Sequence, residues 1–313
     1  MDQHRQNQNA ALVSVGANLA LVTAKVLVGL AIGSVSVVSE ALHSGVDLLA
    51  ALITLLAVRT AAKPTDRDHP FGYGKWEDIS GTIQALLIFG TAALIVYEAV
   101  AKLRHPHPVE ALGLGVAVML ASALINYCVA RLLFRVGRRA ESPALEADGW
   151  HHLTDVWTSA AVMGGLAVIW LGGRFFPGVN LHWLDPAVAL GVALLITRTA
   201  WNMTVHAGRD LLDVQLPQTE RWIREYLGHQ APPVRGYHHL RTRRSGATRF
   251  VEFHLWVDPQ MSVENSHLRG DEIVDGIRAE YPNSRVIVHV EPYHAHQMDH
   301  SHEGAAVEAD GED

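Results

Sequence analysis

Residues 39–58, SEALHSGVDLLAALITLLAV, set His43 and Asp47 four apart inside an otherwise apolar stretch. The stretch DGWHHLTDVWTS repeats that spacing with His151 and Asp155. Helical residues four apart lie on one face, a turn from each other, so each pair offers an imidazole and a carboxylate side by side. A charge inside a bilayer costs about 2.5–3.5 kcal/mol on insertion scales, so such residues are rare and mark function. One HxxxD pair is readable as a buried hydrogen-bonded contact between helices. Two matching pairs can converge on two nitrogens and two carboxylate oxygens, a four-coordinate set suited to Zn²⁺. The lone cysteine, Cys128, excludes internal disulfides and thiolate cages, leaving metal chemistry to carboxylates and 19 histidines. Glu40 and Asp148 are less specific and are placed nearer the membrane faces. His152 is one residue off the His151 face.

Such pairs need long apolar helices to hold them. Hydrophobic residues make up 49% of the 313-residue chain and charged residues 18%, against about 25% charged in ordinary soluble domains. Six segments, 10–32, 35–58, 79–101, 112–134, 144–171 and 186–205, approach the roughly 20 apolar residues that span a bilayer. The last begins with Asp185 and Pro186, an N-cap followed by proline at the first helical position. Loops on one side carry Arg59, Lys63, Arg67, Lys75, Arg135, Arg138, Arg139 and Arg209. The other side has Arg104, Arg174 and, at a helix end, Lys102. The excess puts both termini in the cytoplasm, in a protein integral to the cell (inner) membrane. No signal peptide is legible, so 1–9 reads as a cytoplasmic tail and 10–208 as the transmembrane domain. Asn18, Lys25 and Asn126 are expected to bond between helices, or in the case of Lys25 to snorkel. The net charge of −7 argues against a nucleic-acid partner.

Beyond the last span the texture changes. Residues 218–230 and 263–281 read as helices, and 237–243, 249–257 and 285–291 as strands. Helix, strand, strand, helix, strand is a small α+β domain over 209–292. In RFVEFHLWV, Val251, Phe253, Leu255 and Val257 alternate with Glu252, His254 and Trp256, so one face is apolar and the other polar. His254 is on the polar face; His289 and Glu291, two apart, share a face of their own strand. The tail 293–313 is acidic and is expected to be disordered. Its His294, His296, His300 and His302, with Asp299, are expected to be solvated.

The two HxxxD helices, the six spans, the loop DRDHPFGYGKWED and the stretches SGATRFVEFHLWVD and VIVHVEP together resemble the cation diffusion facilitator family of divalent-metal exporters. The resemblance covers nearly the whole chain. It implies a homodimer that exchanges cytoplasmic metal for protons, with His43, Asp47, His151 and Asp155 as the transport site. It implies a second site in the loop at Asp66 and His69, where relatives with a full site often have another histidine in place of Tyr73; phenol is a poor zinc ligand, so this loop site is expected to be weak, incomplete or absent. It implies a charge contact between Lys75 and Asp213. It also implies a metallochaperone-like cytoplasmic domain whose metal cluster adds His238 and His267 to His254, His289 and Glu291. His239 could replace His238 if the strand register differs.

The expected activity is efflux of a divalent cation, Zn²⁺ first and Cd²⁺ or Fe²⁺ as alternatives, by alternating access. Zn²⁺ is then both substrate and regulatory ligand, with no organic cofactor. Ligation requires deprotonated imidazole and carboxylate, so metal and protons compete for the same lone pairs. His43 and His151 titrate nearest neutrality and are the expected proton carriers. An intramembrane metalloenzyme would want an open coordination position and a motif such as HExxH, which the chain lacks. A membrane-anchored metal sensor would need no ligands inside two spans.

Overall fold

In a computed structural model, residues 2–32, 35–104, 114–175, 184–230 and 234–294 are described. The chain divides into two compact units, Met1–Arg209 and Asp210–Asp313. Among the described residues the first unit is helical: α1 (Asp2–Ile32), α2 (Val35–Ala61), α3 (Lys75–Arg104), α4 (Leu114–Ala140), α5 (Pro143–Phe175) and α6 (Leu184–Leu211). Stretches in five of these, Gln3–Val28, Ser44–Ala61, Lys75–Ala101, Met119–Ala140 and Pro186–Leu211, are long and apolar enough to cross a membrane. The remaining helix, α5, is 33 residues long and carries His151 and Asp155.

The membrane unit is held by small residues. Ala10, Ala11, Ala57 and Ala144 are almost fully buried with Leu55, Val58, Leu133 and Leu145, joining α1, α2, α4 and α5. Small side chains let helix backbones approach where lipid supplies no hydrophobic drive. Ile88 and Ala92 of α3 meet Ile196 and Ala200 of α6 in a separate cluster. Large apolar side chains such as Leu27, Leu56 and Leu194 point outward, 63%, 62% and 73% exposed. That inversion suits a surface solvated by lipid. Helix α5 is in contact with α1, α2, α3 and α4, which makes it the element best placed to organise a site.

The second unit follows the expected order: α7 (Pro217–Gly228), β1 (Val234–Ser245), β2 (Thr248–Val257), α8 (Val263–Glu280) and β3 (Ser284–Pro292). Proline opens α7 and Ser262 caps α8 by accepting a hydrogen bond from the Asn265 N–H. Strands β1 and β2 pair antiparallel across a tight turn in which Gly246 has φ 56°. Strand β3 returns through α8 to pair with β2 in parallel, giving the order β1-β2-β3. Val251, Phe253, Leu255 and Val257 are buried as the alternation predicts, against Ile223 and Leu227 of α7 and Ile273 and Ile277 of α8. Trp256 departs from the pattern. It is on the face expected to be polar, yet it is 7% exposed, because the His238 ring stacks on it and Tyr293 meets its edge.

Candidate metal centres

Asp47 of α2 meets His151 of α5, with Nε2 3.1 Å from Oδ1. One ligand atom from each of Asp47, His151 and Asp155 lies within 4.8 Å of the other two. Asp47 and His151 are 6% and 3% exposed, and Asp155 is half-buried. Two carboxylates converging in an apolar bundle repel unless a cation joins them, so the arrangement favours a divalent ion. His43 lies in α2 one turn before Asp47; its side chain, like that of Glu40, is outside the described residues.

Helix α1 anchors the neighbourhood. The Asn18 amide donates to the Asp47 carbonyl oxygen at 3.4 Å, and the Lys25 ammonium donates to Ser44 Oγ at 2.8 Å. Lys25 is 8% exposed, so it is held inside and does not snorkel. His152 is fully buried between α1 and α4. Its Nδ1–H donates to Asn126 Oδ1 at 3.1 Å, and its Nε2 accepts from the Ser14 hydroxyl at 2.9 Å. Both ring nitrogens are thereby used, so His152 ties helices together while its neighbour faces the carboxylates. Asp148, one turn before His151, is fully buried, and neither of its carboxylate oxygens has a hydrogen-bond partner among the described residues. Gln84 on α3 bonds the Ala50 carbonyl at 3.0 Å and the Thr54 hydroxyl at 2.8 Å, stitching α3 to α2. A lone glutamine in an apolar helix was the available signal for it.

The loop between α2 and α3 satisfies itself. The Asp66 carboxylate accepts from the Tyr73 hydroxyl at 2.5 Å and from the His69 and Asp68 backbone N–H groups at 2.7 and 3.1 Å. The His69 and Tyr73 rings stack with centroids 4.1 Å apart. The Tyr73 hydrogen bond first, and then that from His69, hold the Asp66 carboxyl below its usual range. The same bond pushes the Tyr73 phenol up, further from a ligating phenolate. Asp66 and His69 are adjacent, 3.4 Å apart, but the third group is a hydrogen-bond donor.

In the second unit, register aligns the histidines. His238 pairs with His254, and His254 with His289, in one row across the three strands. Glu291 reaches back to the row: Oε2 is 2.9 Å from His238 Nε2, and Oε1 is 2.8 Å from His254 Nδ1 and 3.5 Å from His289 Nε2. Burial raises the Glu291 carboxyl, but hydrogen bonds from His238 and His254 outweigh it and hold the group below its usual range. His254, His289 and Glu291 form one candidate ligand triad, and His238, His239 and His254 another. His267 is not brought to the row. It projects from α8 with its side chain 75% exposed, 3.5 Å from Asp271. Asp213 lies 3.5 Å from Arg243 within its own unit. His294 is exposed, while His296, Asp299, His300 and His302 lie outside the described residues.

Comparison with known proteins bears on both units. Residues 11–212 match the family model described as the cation efflux transmembrane domain, and 217–293 that of the cation efflux protein cytoplasmic domain. An uncharacterized transporter of Synechocystis sp. is 36% identical over 284 residues, covering 90% of this chain and 89% of its own. The cation-efflux pump FieF of Klebsiella pneumoniae is 32% identical over 283 residues, covering 90% and 92%. The FieF of Cronobacter sakazakii is 33% identical over 291 residues, covering 93% and 94%. With both units matched in order and relatives aligned almost end to end, the chain belongs to the cation diffusion facilitator family of cation efflux proteins.

Proposed function

We propose that this divalent-cation efflux protein exports Zn²⁺ from the cytoplasm in exchange for protons, as a homodimer in the inner membrane with both termini cytoplasmic. The observation that carries the reading is the buried convergence of Asp47, His151 and Asp155 from two membrane helices. His43, one turn before Asp47, completes the four-ligand set in this proposal. Imidazole and carboxylate without thiolate suit Zn²⁺, with Cd²⁺ or Fe²⁺ as weaker substrates, and the nitrogens disfavour Mg²⁺ and Ca²⁺. Facing the cytoplasm, the site takes metal and loses protons; facing outward, protons arriving at His43 and His151 displace the metal.

The row of His238, His254, His289 and Glu291 is the regulatory site. Metal bound only by the compact domain stabilises it by mass action, about 2.7 kcal/mol at a hundredfold excess over Kd. The Asp66–His69 loop acts as a hydrogen-bonded turn with little or no affinity for metal.

Zinc uptake by sealed vesicles holding purified protein, with internal pH followed alongside, tests the reading. Asp47→Ala and Asp155→Ala should each abolish zinc flux and the coupled proton movement while leaving a folded oligomer. Near wild-type flux in either folded variant would exclude the site. Zinc flux with no proton movement would refute the exchange.

A further inference from the structure

The sheet contains a defect whose effect falls on one histidine. Pairing of β1 with β2 shifts register between Val234 and Gly236, runs through Tyr237 with Leu255 and His238 with His254, and shifts again before resuming at Arg241 with Glu252. His239 and Leu240 of β1 thus stand opposite Phe253 alone, as in a β-bulge. His239 takes a left-handed backbone with φ 51°, a conformation uncommon outside glycine, in which asparagine, aspartate and histidine are the side chains most often found. Simple alternation would put His239 on the face opposite His238. The bulge changes this. Leu240 enters the core, 7% exposed, and the His239 ring stays beside the row. Its centroid lies 4.5 Å from that of His238 and 5.0 Å from that of His254, nearly perpendicular to the latter at 87°. Strained backbone that re-aims a side chain concentrates at functional sites.

We propose that His239 is a metal ligand, forming with His238 and His254 an all-imidazole site for a nitrogen-preferring divalent ion such as Zn²⁺ or Ni²⁺. One ligand atom of each ring lies within 4.8 Å of the other two, close enough to share an ion. Three neutral imidazoles disfavour Mg²⁺, Ca²⁺ and Mn²⁺, which want oxygen. The site draws all its ligands from β1 and β2 and does not need His267. It shares His238 and His254 with the row that includes His289 and Glu291, so occupancy of the two is coupled through both rings. The proposal rests on the reading that the cytoplasmic row binds metal.

Zinc titration of the full-length protein in detergent against a chromophoric chelator tests it, with Co²⁺ absorption spectra as a second readout. His239→Asn removes the imidazole and keeps a residue that tolerates the left-handed backbone; His239→Gly does the same without strain. Both should weaken zinc binding by about tenfold or more and alter the Co²⁺ spectrum, with the unfolding midpoint kept. His254→Ala is the control for the row as a whole. If His254→Ala loses zinc while both His239 variants bind like wild type, the row stands and the role of His239 is overturned. If His254→Ala also binds like wild type, both the row and the proposal fail. If His239→Gly keeps zinc binding while His239→Asn loses both binding and stability, the imidazole is not a ligand and the proposal fails.

Discussion

Adjacent histidines His151 and His152 should fail in opposite ways. His152→Ala removes a fully buried ring whose two nitrogens bond Asn126 on α4 and Ser14 on α1. In soluble cores, stranding each partner costs about 1–3 kcal/mol. Within membrane bundles, measured side-chain hydrogen bonds average only about 0.6 kcal/mol and reach about 1.7. Membrane values apply here, because the unfolded helices stay in a low-dielectric medium where Ser14 and Asn126 find other partners. Two lost bonds then amount to about 1–3 kcal/mol, with the cavity left by the ring adding to it. His151→Ala removes a ring that meets Asp47 and shares a ligand triad with Asp155. It should abolish zinc binding at the membrane site, with a smaller stability loss. Unfolding in mixed detergent micelles and zinc titration on the same preparations provide the two readouts. A His152→Ala protein that unfolds like wild type yet cannot load the membrane site would refute the tether and make His152 a ligand.

Tyr73→His should convert the self-satisfied loop into a metal site. It replaces the phenol on Asp66 with a third donor beside Asp66 and His69. About one more zinc per chain should survive dialysis in metal analysis; unchanged stoichiometry would rule this out. Gly276→Ala should destabilise the second unit despite a helix-propensity gain of about 1 kcal/mol. A Cβ there would lie 1.9 Å from the Tyr226 hydroxyl oxygen and 2.6 Å from its ring carbon. Expelling a ring stacked on Trp222 at 5.1 Å forfeits stacking of about 0.5–1.5 kcal/mol on top of overpacking of about 1–3 kcal/mol. A raised unfolding temperature would mean that Tyr226 moves aside freely. Asp258 accepts from the Gln260 N–H at 2.9 Å and from Arg235 at 3.1 Å, bonds that hold it below its ordinary 3.8. Because the folded value is depressed, its stabilisation is present above the ordinary value and is lost as pH falls through the lower folded one. Asp258→Asn should therefore flatten the acid limb of stability below about pH 4, and an unchanged limb would count against this attribution.

Local features of the sequence were the legible ones. HxxxD is a spacing of one helical turn, so placing His43 with Asp47 and His151 with Asp155 on common faces needed no tertiary knowledge. The element order of the second unit and the burial of Val251, Phe253, Leu255 and Val257 followed from period-two alternation. What depends on pairing was hidden. The alignment of His238, His254 and His289 is a matter of strand register, which single-strand patterns do not encode. The bulge at His239 moves a side chain to a face that alternation denies it. Trp256 is buried by a ring from the neighbouring strand. The tether role of His152 rests on Ser14 and Asn126, residues 138 and 26 positions away in the chain. The resemblance supplied His267 as a ligand, and within one chain the fold leaves it at the surface beside Asp271.

The register of the histidine row also sets where this domain tolerates change in length. His254 and His289 are partners in a parallel pair whose connection runs through α8. A residue gained or lost in the turns flanking α8 is absorbed by the connection and leaves the row aligned. The same change inside β2 or β3, between Thr248 and His254 or between Ser284 and His289, moves the downstream side chains to the opposite face. For a change in β3, His289 and Glu291 would then point into the apolar core, and Val288 and Val290 toward solvent. Natural length variants should therefore collect around α8 and be purged from the strands, and a library of single-codon insertions would trace the metal row as a gap in its tolerated positions.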